Sequence, residues 1–215
     1  IQSLKHSLEK LINPFSETDE FNIDILCDRE KGADKDEEHQ RWKVNGPVNN
    51  SIREILDIKT TQISVELSSK TIETKIHDRG TLIYHIQEPN TKYKLLKTLK
   101  IDLYFLNQSA KSNFTRRMGV EAVNFGSVFL FKNGFRVQPY GKTGDDSWGL
   151  DYRAQQGYNR FLSSRNLFGR VDIITDNSKQ FKEVSSRDGG LVETEGYHQL
   201  MSAFKDKALV RLERY

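Results

Sequence analysis

Residues 126–141 read GSVFLFKNGFRVQPYG, and this stretch decides the fold. Val128, Phe129, Leu130 and Phe131 run up to Asn133-Gly134, and Phe135 and Val137 follow on the return. Asn-Gly between apolar runs is the strongest short hairpin signal, because both central residues must tolerate positive φ. The stretch predicts a buried hairpin. Other segments are placed by asking whether they pack on it or hang from its ends.

Upstream, residues 100–106, KIDLYFL, are apolar on both faces apart from Asp102 and predict a central strand. Before them, Ile63, Val65 and Leu67, then Ile72, Thr74 and Ile76, then Leu82, Tyr84 and Ile86 alternate with polar neighbours. A Ser-Ser-Lys turn and an Asp78-Arg79-Gly80 turn separate these runs, which predicts an antiparallel meander. Ser109 is the expected cap of a short helix, SAKSNFTRRMG, that ends at Gly119 and leads into the hairpin.

Downstream, Leu150, Ala154, Tyr158, Phe161 and Leu162 share one helical face in WGLDYRAQQGYNRFL, and GRVDIIT at 169–175 reads as a strand. Tyr197, Leu200, Met201, Phe204 and Ala208 lay one stripe along a last helix. The expected class is α+β, a mixed or antiparallel β-sheet backed on one face by helices.

The N-terminal part is weaker in pattern. Leu4, Leu8, Leu11 and Ile12 predict an amphipathic helix that Asn13-Pro14 stops. Phe21, Ile23 and Ile25 alternate as a strand, and residues 28–41 have no apolar periodicity, which predicts a polar, mobile loop. Ile52, Ile55 and Leu56 suggest a short helix capped by Asn50 or Ser51. The expected organisation is a connector at 1–20 followed by one α+β domain at 21–215. The chain starts IQSLKHSLEKL, without an initiator Met or a signal-peptide pattern, so it reads as a piece with something upstream.

At 215 residues the chain is long enough for one sizeable domain. Its hydrophobic share of 36%, charged share of 29% and mean hydropathy of -0.67 describe a polar globular protein. No run approaches the ~18 apolar residues of a membrane span, so no membrane partner is expected. The lone Cys27 excludes an internal disulfide framework and suits a reducing cytoplasm; within FNIDILC it reads as a buried structural thiol. A net charge of +3 permits phosphate-bearing partners without demanding them.

Standard catalytic sets are absent: there is no G-x-x-x-x-G-K-[ST] loop, G-x-S-x-G elbow, H-E-x-x-H pair or C-x-x-C. Among the histidines, only His77 and His85 are spaced to face each other across a hairpin, and two ordinary histidines are the favoured reading over a metal site. Asp145-Asp146 reads as a turn that starts the following helix. What remains is cationic. Lys179 and Arg187 bracket the loop between the last strand and last helix, and Arg116-Arg117 end the helix before the hairpin; both residue types donate to phosphate oxygens, arginine bidentately.

In order and with similar spacing, GSVFLFKNGFRVQPYG, WGLDYRAQQGYNRFL, G-R-x-D, F-K-E-x-SSRDGGL and a closing Y-x-x-L helix resemble the second domain of bacterial ATP-binding proteins of the GHKL superfamily. That is the group of gyrase, histidine kinase, MutL and the heat-shock chaperone, and the resemblance points to its MutL-like and MORC-like ATPases. It implies a transducer domain whose fold is like domain two of ribosomal protein S five. It also implies an upstream ATPase domain in cis, carrying an Asn-bearing magnesium helix, an Asp-x-Gly-x-Gly adenine loop and a glycine-rich lid, none of which is in this sequence. ATP and Mg are then cofactors of the full-length protein, with none expected on this piece, and a homodimer is implied.

In this family the transducer sends one basic residue to the γ-phosphate. MORC-like members place that lysine in an Asn-Lys-Gln-x-Phe motif. The matching residues here are Asn177-Ser178-Lys179-Gln180-Phe181, with Ser178 inserted, which makes Lys179 the first choice and Arg187, within SSRDGG, its rival. Work in DNA repair, restriction or phage defence is implied by the same resemblance. The alternative is a nucleic-acid- or protein-binding module independent of ATP, with Arg116, Arg117 and Arg136 on a basic face that Arg153, Arg160 and Arg165 extend.

Overall fold

A computed structural model describes residues 2–9, 22–39, 42–48, 60–118, 121–157, 160–186 and 189–215. The chain divides into two compact units, Ile1–Glu54 and Ile55–Tyr215, so the strand expected near Ile25 belongs to the smaller one.

In the smaller unit, α1 (Gln2–Glu9) is the expected lead-in helix, and β1 (Asp24–Ile25) pairs antiparallel with β2 (Gly46–Pro47). Ile25, Val44 and Val48 form its core, with Leu8, Ile23 and Cys27 packed against them. Cys27 thus sits where a structural thiol belongs, half-buried beside apolar neighbours. Of the stretch expected as a loop at 28–41, residues 28–36 are instead a 3-10 turn (Asp28–Glu30) running into helix α2 (Lys31–Asp36), residues 37–39 are irregular, and 40 and 41 lie outside the described residues. Neither the turn nor the helix buries a residue, which is why no periodicity betrayed them. One side chain anchors the helix: the Asp34 carboxylate accepts from the Val44 and Asn45 amides at 2.6 and 2.8 Å and from Asn45 Nδ2 at 2.6 Å. The Val44 bond leads in holding that carboxyl below its ordinary range. The helix expected around Ile52 lies outside the described residues.

The larger unit is built on the predicted meander. β3 (Thr61–Ser68), β4 (Thr71–Asp78) and β5 (Thr81–Pro89) pair antiparallel in sequence order. β6 (Thr98–Phe105), the KIDLYFL strand, returns beside β3. α3 (Gln108–Met118) and α4 (Ala122–Phe125) lead into the hairpin β7 (Val128–Lys132) and β8 (Phe135–Val137). After α5 (Leu150–Gln156) comes β9 (Leu167–Ile174), then α6 (Glu195–Ala203), a π-helical segment (Phe204–Leu209) and α7 (Val210–Arg214). The sheet order is β5-β4-β3-β6-β9-β7-β8, and β6 is central as expected. Every pairing is antiparallel except β7 with β9, so the sheet is mixed.

Alternation sends Ile63, Val65, Leu99, Ile101, Val171 and Leu130 to one face, where they pack with Leu200, Phe204 and Leu209 of the C-terminal helices. Trp148 stacks on Phe204 with centroids 4.2 Å apart and donates its indole N–H to the Val128 carbonyl at 2.8 Å. Gly169 lets β9 approach β6 closely, since a Cβ there would lie 2.3 Å from the Asp102 carbonyl oxygen.

The opposite face was expected to lack helices, yet α3 and α4 pack on it. Phe114 and Phe125 meet Phe129 and Phe168, with ring centroids 5.7 to 6.3 Å apart for five of the pairs. Aromatic residues on alternate strand positions made this second layer necessary, because bare rings on that face would face water. Two local expectations also change. Asn107 and not Ser109 caps α3, accepting from the Ala110 amide at 2.9 Å. The expected long helix through Leu162 is the short α5, which Gly157 closes.

Candidate functional site

The Asn133-Gly134 turn forms as predicted, with φ of 51° and 84°. Its asparagine does more than turn the chain. The Asn133 amide accepts from the Thr175 N–H at 2.9 Å and donates to the Thr175 carbonyl at 2.8 Å, while the Asn133 N–H bonds the Ile173 carbonyl at 2.9 Å. The end of β9, where the Lys179 loop begins, is therefore clasped to the hairpin tip.

The far end of that loop is fixed as firmly. Phe181 is fully buried. The Gln180 side chain accepts from the Gly196 N–H at 2.9 Å, and the Thr194 hydroxyl donates to the Gln180 carbonyl while accepting from Tyr197 N–H as the N-cap of α6. Lys132 on β7 adds a third tie, donating to the Phe181 carbonyl at 3.2 Å and to Glu183 at 2.6 Å. At the loop's outer side, Lys97 pairs with Asp176 at 3.0 Å and, chiefly through that hydrogen bond, holds the Asp176 carboxyl below its ordinary range.

Lys179 sits at the crest of this loop, exposed, and no described residue forms a hydrogen bond or ion pair with its ammonium group. An unpaired cation on a clasped loop can meet an incoming anion without first giving up a partner and with little side-chain-independent motion to arrest.

Arg187 lies outside the described residues, as does Asp188, but the base of their loop is defined. Glu183 bridges Leu191, and Val184 N–H bonds the Gly190 carbonyl at 2.9 Å. Gly190 has φ of 66°, and a Cβ there would lie 3.3 Å from Tyr140, the residue that follows the hairpin in PYG. Tyr140 in turn packs on Trp148, and burial pushes its phenol well above its ordinary range. The Lys179 loop is thus tied to the tip of the hairpin, and the described base of the other loop lies beside Tyr140, just past its other end. The resemblance singled out the two cations; it gave no sign that Asn133 would bond Thr175 or that Gln180 would bond Gly196, 42 and 16 residues away in the chain.

The basic-face residues sit on separate elements. Arg116 is exposed on α3 and donates to Asn113 at 2.7 Å, and the side chain of Arg117 is not among those described. Arg136 on β8 stacks over Phe129 at 4.4 Å, and burial lowers its pKa to about 10. Arg153 is committed to Glu213 through two hydrogen bonds at 3.2 and 2.9 Å. Arg160 and Arg165 are exposed.

Of the other residues singled out for chemistry, the paired aspartates have structural partners. Asp146 caps α5, accepting from the Asp151 and Tyr152 amides at 2.9 and 2.8 Å, and Asp145 accepts from Ser147 at 2.6 Å. His77 lies opposite Leu82 and His85 opposite Lys75, so the two histidines do not face each other. Comparison of the chain with protein-family models and with curated proteins finds no match.

Proposed function

We propose that this chain is the transducer part of a GHKL-type ATPase, with a fold like domain two of ribosomal protein S five, and that Lys179 is the residue it presents to the γ-phosphate of ATP held by an upstream domain. The observation that carries the reading is the unpaired Lys179 ammonium on a loop fixed at both ends. A positioned cation stabilises charge that develops on a transferring phosphoryl group, the part an arginine finger plays. The hairpin and C-terminal helix that hold the loop also give nucleotide state a rigid route to the rest of the domain. Magnesium and the nucleotide belong to the upstream domain in this reading, so this chain supplies the positioned cation and its support. Coupling to a homodimer, and work on DNA in repair, restriction or phage defence, belong to the same proposal.

Steady-state ATP hydrolysis by the full-length protein tests it. Lys179→Ala is expected to lower kcat by roughly 10²- to 10³-fold, with little change in the KM for ATP. Arg187→Ala, measured in parallel, assigns the role to the rival loop if it alone has that effect. Normal turnover in both variants overturns the proposal.

A further inference from the structure

On the face of the sheet that also carries Phe129 and Phe168, charges answer one another across the strands. Glu66 on β3 lies opposite Lys100 on β6, which lies opposite Asp172 on β9. One step along, Asp102 lies opposite Arg170, a buried guanidinium that is also ion-paired with Asp172. The next strands, β7 and β8, continue the first row with Phe131 and then Arg136. Phe131 separates Arg136 from Asp172, and the ladder ends in a cation that no carboxylate answers. No hydrogen bond or ion pair reaches Arg136 from any described residue, its Nε is buried without a partner, and its guanidinium stacks on the Phe129 ring.

Arg136 is open along its backbone as well. A two-residue turn is closed by a hydrogen-bonded pair, here Lys132 with Phe135, and antiparallel pairing alternates, so Phe131 with Arg136 is the non-bonded pair. The Arg136 N–H and C=O therefore point away from β7, and β8 is the last strand of the sheet. One residue thus presents a donor, an acceptor and an uncompensated guanidinium at an open edge.

We infer that the edge of β8 is a docking site for an extended peptide segment of a partner protein that places an Asp or Glu side chain on Arg136. A peptide strand supplies an acceptor and a donor for the backbone pair and a carboxylate for the guanidinium fork. A nucleic-acid phosphate accepts only, and would leave the Arg136 carbonyl facing an anion. A second copy of the chain pairing symmetrically through Arg136 would set arginine against arginine. The other edge strand, β5, exposes Leu82, Ile83 and Ile86, but its acidic Glu88 is already held by Lys207 and Arg211, and its His85 by Glu73. This inference is independent of any role for Lys179.

The test is a titration of the protein with a fluorescein-labelled Thr-Val-Glu-Val-Thr peptide and its Thr-Val-Gln-Val-Thr counterpart, followed by anisotropy and by backbone amide NMR. The Glu peptide is expected to bind about tenfold more tightly than the Gln peptide and to shift the amide signal of Arg136. That preference should vanish in Arg136→Met, which keeps an aliphatic stem on Phe129. Equal binding of the two peptides to the wild-type protein overturns the inference without recourse to any variant. So does a shift centred on β5, or displacement of the Arg136 amide signal by a single-stranded oligonucleotide but not by the Glu peptide.

Discussion

The two loops between β9 and α6 are held by different means. The Lys179 loop is clasped by side-chain amides, Asn133 at one end and Gln180 at the other. The described base of the Arg187 loop is closed by backbone pairing at Glu183 and Leu191, and its Gly190 lies beside Tyr140, which packs on Trp148 and through it on Phe204. A clasp of side chains can be removed without dismantling the sheet. A loop seated on the core cannot be loosened without loosening the core.

The largest expected effect breaks the second mounting. Trp148→Ala removes the ring between Tyr140 and Phe204 and is expected to cost about 3–5 kcal/mol of stability by denaturant unfolding. Exchange protection of the Val184 and Gly189 amides should fall with it. If that protection survives, the loop base does not depend on the aromatic stack.

A smaller change separates the loops. Glycine takes positive φ readily, so Asn133→Gly keeps the turn while deleting both amide bonds to Thr175. The expected loss is about 1–2 kcal/mol, with faster exchange of the Thr175, Gln180 and Phe181 amides and none of the change at Val184. Equal loosening of both loops would show that the hairpin tip carries them as one body.

The smallest effect comes from the exposed Lys97–Asp176 pair, in which salt screens the attraction. The Asp176 carboxyl has a lower pKa folded than unfolded, so the pair stabilises above the ordinary carboxylate pKa. Its contribution fades as the pH falls through the lowered value. Lys97→Met should remove this part of the acid dependence of the melting temperature while leaving exchange at Phe181 unaltered.

Much of the fold was legible because it rests on near neighbours in sequence. Asn133-Gly134 specifies a turn through its own φ values, the alternation from Ile63 to Ile86 specifies strands through a period of two, and the stripe from Tyr197 to Ala208 specifies a helix through 3.6. α2 was missed because a six-residue helix that buries nothing has no period to show. α5 was read too long because Tyr158, Phe161 and Leu162 continue the stripe past Gly157, where the helix ends. Of the candidate site, the residue type and its loop were legible at Lys179, while the partners that hold it were not.

The sequence alone determined the α+β class, the hairpin, the meander and the central place of KIDLYFL, since each follows from propensity and periodicity over a dozen residues or fewer. Only the tertiary structure decided that β7 runs parallel to β9, that α3 and α4 cover the second face, and that Asn133 grips Thr175 across 42 residues of chain. It also decided which charges are answered: Asp102 on β6 lies opposite Arg170 on β9 and Lys100 opposite Asp172, while Arg136 and Lys179 meet no carboxylate among the described residues. The reason is physical. A charge's partner is set by the register of strands that are distant in sequence, and register is fixed by burying one whole face of the sheet at once, a property that no local window contains.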